Sequence, residues 1–217
     1  MFEKFPSLTR FSHGWTITEK LDGSNACVVI VQANEVAAGQ VPAEAKLFYS
    51  AATDLVVLAQ SRKNLIFPGK TTDNFGFAQF VKDNAEEFVA KLGEGRHFGE
   101  WVGKGVNKRG YNLDQKRFVL FNTHRWTGAD LPERVDVVPV LAEGYIDIDA
   151  TEDRIAVGAA VGALAMLKQS GSVYAPGFMD PEGVVMRHGP SGTLFKKTFD
   201  YDEQGKWAEN QARKEAQ

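Results

Sequence analysis

A lysine, an acid two residues on and a glycine directly after the acid make the stretch of this sequence best suited to chemistry. It runs Glu19, Lys20, Leu21, Asp22, Gly23, Ser24, Asn25. Before it, Trp15, Thr16, Ile17 and Thr18 alternate like a strand. After it, residues 26–31 read as a second, more buried strand. Lys20 would then sit at a strand end, facing a turn, with its stem desolvated. An amine attacks phosphorus or carbon only in its neutral form, which desolvation and nearby cations favour. The plainer alternative is an Asp-Gly hairpin with a surface lysine, and a motif this short does not separate the two.

Other polar residues of chemical interest also fall on strands or strand ends: Arg62, Glu100, Glu182, Lys196 and Lys197. Taken singly, each has an ordinary explanation. The two glutamates could be exposed strand acids, Arg62 a loop charge, and the lysine pair the charges that protect an edge strand. A loop rich in Gly, Lys and Arg (residues 103–110) carries Lys104, Lys108 and Arg109. With Lys116 and Arg117 it makes a candidate patch for a phosphate backbone, or simply a solvated loop. His13, His97, His124 and His188 are scattered and receive no catalytic role.

The elements that must position these groups are mostly strands. Short apolar or alternating runs fall at residues 46–50, 96–102, 117–122, 182–187 and 193–197, and a further segment runs over 59–64 to a turn at 67–69. The clearest helix spans 74–92, where Phe77, Phe80, Val81, Phe88, Val89 and Leu92 share one core-facing stripe and Gly93 and Gly95 end it. A second helix is expected over 151–169, weakened by Gly158 and Gly162. Residues 1–14 read as an irregular lead-in, 33–43 as a loop and 202–217 as a charged surface helix. Regular β-α-β alternation is missing, so the expected class is α+β, with antiparallel β-sheets flanked by helices.

Composition narrows the setting. The 217 residues are 43% hydrophobic and 24% charged, which is ordinary for a globular chain. A net charge of −3 gives no bulk positive field, so any polyanion must meet a local patch. Cys27, the one cysteine, excludes an intrachain disulfide and a cysteine-rich metal cage, and lies in an apolar strand. There is no apolar signal segment, and the longest apolar run, 155–167, is too short to span a bilayer. A reducing, cytoplasmic setting and no membrane association are expected.

Order and spacing bring these residues together. The sequence resembles the covalent nucleotidyltransferase superfamily of polynucleotide ligases and mRNA capping enzymes. EKLDGSN is similar to its nucleotidyl-lysine motif and QSRKN to the arginine motif that follows. HFGEW resembles the third motif, RFVLFN the strand carrying an aromatic for the purine, PEGVVMR the fourth motif, and LFKKTF the final lysine motif. Six elements in the same order cover residues 19–198. DNA ligases and capping enzymes usually carry an arginine three residues after the motif's aspartate. Here Asn25 stands there, which resembles the RNA ligases, particularly the double-strand-repairing type. Two departures stand out. Asn122 occupies a position where aspartate is common, and Lys196-Lys197-Thr198 replaces a K-x-K pattern, so Lys197 or Lys206 is left as the second lysine.

The resemblance implies an ATP-grasp-like nucleotidyltransferase domain and an ATP-dependent RNA ligase that works through lysyl-AMP and adenylylated RNA. In this reading Lys20 is the nucleophile, with Lys196 and a bound metal ion as its cationic neighbours. Glu182 holds Mg²⁺ or Mn²⁺, and Glu100 binds ribose hydroxyls or assists the metal. Arg62 contacts ribose or phosphate. Lys196 and Lys197 hold the α-phosphate. Phe121 stacks on adenine, with Phe118 the alternative. Glu19 and Asn25 complete the ATP set, and Asp22 orients the turn. Nineteen residues precede Lys20 and nineteen follow Thr198. That implies one adenylyltransferase domain over 1–217, ATP rather than NAD, and no OB or other C-terminal domain. The expected partner is RNA, as a nicked duplex or broken ends, or else DNA. The alternatives are a minimal DNA ligase, a capping-type guanylyltransferase and a non-catalytic end binder.

Overall fold

In the computed structural model, residues 14–36, 41–145 and 155–200 are described. The lead-in, the charged C-terminal stretch and Lys206 therefore lie outside the described residues. The chain divides into two compact units, one formed by Met1–Lys20 with Pro139–Gln217, the other by Leu21–Val138. The strands in chain order are β1 (Gly14–Lys20), β2 (Ser24–Gln32), β3 (Phe48–Ser50), β4 (Leu55–Ser61), β5 (Leu65–Ile66), β6 (Gly95–Val102), β7 (Arg117–Leu120), β8 (Val135–Val137), β9 (Val140–Tyr145), β10 (Gly183–His188) and β11 (Leu194–Thr198). The helices are α1 (Phe77–Asp83), α2 (Ala85–Leu92), α3 (Thr123–Trp126) and α4 (Ile155–Ser170). The class is α+β, as expected. Among the described residues no helix is long and apolar enough to cross a membrane.

The first unit holds a four-stranded antiparallel sheet in the order β11-β10-β1-β9. Its alternation is direct. Trp15 and Ile17 of β1 and Val184 of β10 point to one side, where Ala163 and Leu167 of α4 close a small core. Lys20 and Thr18 point to the other side. Strand β9 was not legible in the sequence, because Pro139 and Gly144 interrupt its pattern. Gly144 is nonetheless needed there, since the Trp15 indole lies where a Cβ would project.

The second unit is a sheet in the order β3-β4-β2-β6-β7-β8, with β5 paired to β4. All its pairs are antiparallel except β7 with β8, which run parallel and depart from the purely antiparallel expectation. One face buries Ala26, Val28, Ile30, Val57, Ala59, Trp101, Phe118 and Leu120 against α1 and α2. Phe77 sits at the centre, with ring centroids 5.0 Å from Phe118 and 5.4 Å from Trp101. The helical stripe expected over 74–92 is this packing face, although the helix is broken at Asn84. There the side-chain amide donates to the Phe80 carbonyl at 2.7 Å, competing with the backbone ladder as Asn does in mid-helix. Asp73 accepts from the Ala78 and Gln79 amides and so caps α1. Cys27 is fully buried in a smaller cluster on the opposite face, and burial pushes its thiol up to about 12.

Phe77→Ala should remove the keystone of the aromatic core and destabilise the protein by about 3–5 kcal/mol. A lower urea midpoint at unchanged slope is the expected reading.

Candidate active site

In the first unit the β1–β10 register sets Lys20 opposite Gly183, one residue past Glu182. The Lys20 ammonium donates to Glu182 Oε2 at 2.6 Å, and both side chains are about four-fifths covered, at 23% and 17% exposed. Lys20 and Glu182 are 162 residues apart in the chain, so strand pairing alone brings them together. Gly183 has φ +149°, and a Cβ there would meet the Lys197 carbonyl of β11. Only glycine lets three strands close at this point.

Register also separates the two final lysines. Lys196 pairs across Val185 to Thr18, and so shares the face of Lys20. Lys197 pairs across Val184 to Glu19, on the face covered by α4. Both are exposed on the edge strand β11. The expectation that Lys197 stands beside Lys196 at the phosphate is therefore corrected by strand alternation. On Lys20's face, Thr198 follows Lys196.

Glu19 also departs from its expected place in the ATP set. Its carboxylate is 1% exposed, and Oε2 accepts the Val173 and Tyr174 amides, each at 2.9 Å. The side chain fixes the loop that runs from α4 toward Glu182. Burial holds the Glu19 carboxyl above its ordinary 4.5, against the lowering effect of hydrogen bonds from Ser172 and the two amides.

In the second unit Asn25 of β2 and Glu100 of β6 are direct cross-strand partners on the sheet face opposite the aromatic core. Phe98 lies on the same face, 45% exposed. Phe121, just beyond β7, donates its amide to the Phe98 carbonyl at 3.0 Å and is 41% exposed. Phe118 is fully buried against Phe77, so of the two aromatic candidates only Phe121 presents a ring. Arg62 is exposed in the bend joining β4 to β5. Gly23 packs against the Trp101 carbonyl and Glu100, where a side chain would collide.

The basic loop is less uniform than its composition. Lys104 and Lys108 are exposed. Arg109 is 5% exposed and its guanidinium lies 3.6 Å from Asp22 Oδ2, which corrects its expected role as a surface phosphate contact. Lys116 donates to the Phe75 carbonyl at 2.7 Å, and Arg117 forms a two-pronged ion pair with Asp136. His97 is buried, with Nε2 2.9 Å from the Gly93 carbonyl. Burial holds its imidazole below the usual range.

Sequence reasoning missed Phe98 and Tyr111. Phe98 stands two residues before Glu100, and strand alternation was the signal that could have found it. Tyr111 takes the Asp22 amide on its hydroxyl from 89 residues away, and nothing local marks it.

For a divalent cation the donor set is sparse. Among the described residues no group of three or more His, Cys, Asp or Glu side chains could hold a metal. Single carboxylates such as Glu182 suit Mg²⁺ or Mn²⁺, which take one or two carboxylates and complete their shells with water and phosphate oxygens.

Comparison with known proteins follows the same line. The RNA ligase family model matches residues 13–198. An archaeal ATP-dependent RNA ligase shares the fold at TM-score 0.50 and 15% identity, covering 99% of this chain and 52% of that one. A variant of the Naegleria gruberi RNA ligase solved with ATP and Mn aligns at TM-score 0.49 and 16% identity, over 86% of this chain and 49% of that one. The chain thus spans about half the length of these solved structures. No curated protein matches it by sequence.

A carboxyl raised in the folded state supports folding while protonated. That support is full below the unfolded value and is lost as pH rises through the folded one. Glu19→Gln, neutral at every pH, should therefore gain on the wild type as pH is raised from 4.5 toward neutrality. Melting temperatures across that range check it; a constant difference would mean that Glu19 does not titrate there.

Proposed function

The chain belongs to the RNA ligase family, and on that premise we propose that it is an ATP-dependent adenylyltransferase module that joins a 5′-phosphate to a 3′-hydroxyl on RNA. The observation that carries this reading is the 2.6 Å contact between Lys20 Nζ and Glu182, built by strand register from two distant motifs.

Lys20 Nζ attacks the α-phosphorus of ATP, forming a P–N bond as the bond to pyrophosphate breaks. A 5′-phosphate oxygen then displaces the lysine and takes AMP. Finally a 3′-hydroxyl attacks the adenylylated phosphate, sealing the strand and releasing AMP. Each step is phosphoryl transfer, where positioning and charge neutralisation dominate. Glu182 would hold Mg²⁺ or Mn²⁺, and in doing so give up its ion pair with Nζ. The bound ion supplies charge neutralisation at the phosphates. The relatives solved with ATP and Mn are in keeping with that choice.

In this reading Lys196 holds the α-phosphate through the transition state, Phe121 stacks on adenine, and Asn25 with Glu100 binds ribose hydroxyls or orders the 3′-hydroxyl end. Arg62 contacts ribose or phosphate through its planar fork. The module works as one adenylyltransferase domain in a cytoplasmic setting, with RNA repair its service. Asn25, in place of the arginine usual in DNA ligases, favours RNA over DNA.

Protein incubated with divalent cation and α-labelled ATP should retain the label, and Lys20→Ala should abolish it; persistent labelling would sink the assignment. GTP should label poorly, and a nicked RNA duplex should be sealed faster than its DNA counterpart, with the reverse order supporting a minimal DNA ligase. Lys196→Ala should lower the labelling rate by about 10²-fold, the scale of one transition-state contact. Lys197→Ala should stay within about threefold, a comparison read from single-turnover rates.

A further inference from the structure

The basic loop between β6 and β7 is tied to the turn that follows the nucleophile. Asp22 is the tether. Its Oδ1 accepts from Asn107 Nδ2 at 2.5 Å, and its Oδ2 accepts the Arg109 amide at 3.2 Å. The Arg109 guanidinium lies 3.6 Å from the same oxygen, with both side chains largely buried. Asp22's own amide donates to the Tyr111 hydroxyl at 2.6 Å, and Tyr111 is 1% exposed. Three residues of one loop thus close on one residue of the nucleotidyl-lysine motif.

Tyr111 and Asn112 adopt successive left-handed conformations, φ 55° and 53°. Non-glycine residues hold that geometry only where the surroundings over-determine it. Losing one partner of a buried pair leaves the other's charge less well compensated, so Arg109 and Asp22 support each other. The same loop carries the exposed Lys104 and Lys108.

We propose that Arg109 is a positioning residue for the polynucleotide-handling steps: acting through Asp22, it holds loop 103–113 as a rigid arm whose Lys104 and Lys108 meet RNA phosphates. This rests on the ligase reading. A rigid arm binds with less ordering cost than a floppy one, so the loop's stiffness is converted into affinity for the nucleic acid. Formation of lysyl-AMP, which needs no RNA, does not use the arm.

The test compares wild type, Arg109→Lys, Arg109→Ala and Tyr111→Phe by three measurements. These are trypsin nicking after Lys104 or Lys108, anisotropy of a short fluorescein-labelled 5′-phosphorylated RNA, and label uptake from ATP. Arg109→Ala should be nicked about tenfold faster, because the loop opens locally. It should bind RNA about tenfold more weakly and with a shallower salt dependence, while label uptake stays within about twofold. Arg109→Lys should recover part of each loss. If Arg109→Ala does not fold, Tyr111→Phe, which removes one hydroxyl, carries the same comparison in milder form. Unchanged nicking and RNA binding, or label uptake falling in step with RNA binding, overturns the positioning role. A wild type that takes no label from ATP overturns the ligase reading instead.

Discussion

Much of this chain's chemistry depends on one hydrogen-bonded register, that of β1 against β10 and of β10 against β11. Side chains on a strand alternate between faces, so the register decides which groups share the face of Lys20. A slip of one residue would carry Lys20 toward the α4 core and bring Glu19 out in its place. Gly183 guards against that slip. It accepts the close approach of the Lys197 carbonyl, which no other residue could at φ +149°. The neighbours Glu19 and Lys20 consequently meet opposite fates. One is sealed inside as the anchor of a loop, and the other is held at the surface beside a carboxylate.

The second unit applies the same alternation to a different end. Its helix-covered face is filled by Phe77, Trp101, Phe118 and their neighbours, which makes the sheet a stiff plate. On the opposite face, strand pairing sets Asn25 beside Glu100, and a backbone hydrogen bond ties Phe121 to Phe98.

These relations explain what the sequence disclosed. The aromatic stripe of α1 and α2 was legible because helical periodicity is local. Lys20, Glu100 and Glu182 could be singled out because their motifs fall in a recognisable order. Choices that hang on strand phase could not be. Phe118 and Phe121 read alike until β7 is given its pairing, and Lys196 and Lys197 until β11 is given its own. Arg109 read as a phosphate contact or a solvated charge because its loop is rich in Gly and Lys. Its counter-ion, Asp22, lies 87 residues away. Strand β9 was hidden by Pro139 and Gly144, although its pairing with β1 completes the Lys20 sheet.

Two acids, Asp22 and Glu182, show how environment distinguishes like groups. Asp22 accepts hydrogen bonds from Asn107 and the Arg109 amide, and the buried Arg109 guanidinium stands close beside it. A carboxylate so satisfied has little left to offer a ligand, and moving it would weaken the compensation of a buried charge. Glu182 pairs with the Lys20 ammonium, and solvent still reaches about a fifth of each side chain. Glu182 is thus the acid with solvent beside it, and Asp22 the one locked by a loop. Burial, not residue type, is what tells the two carboxylates apart.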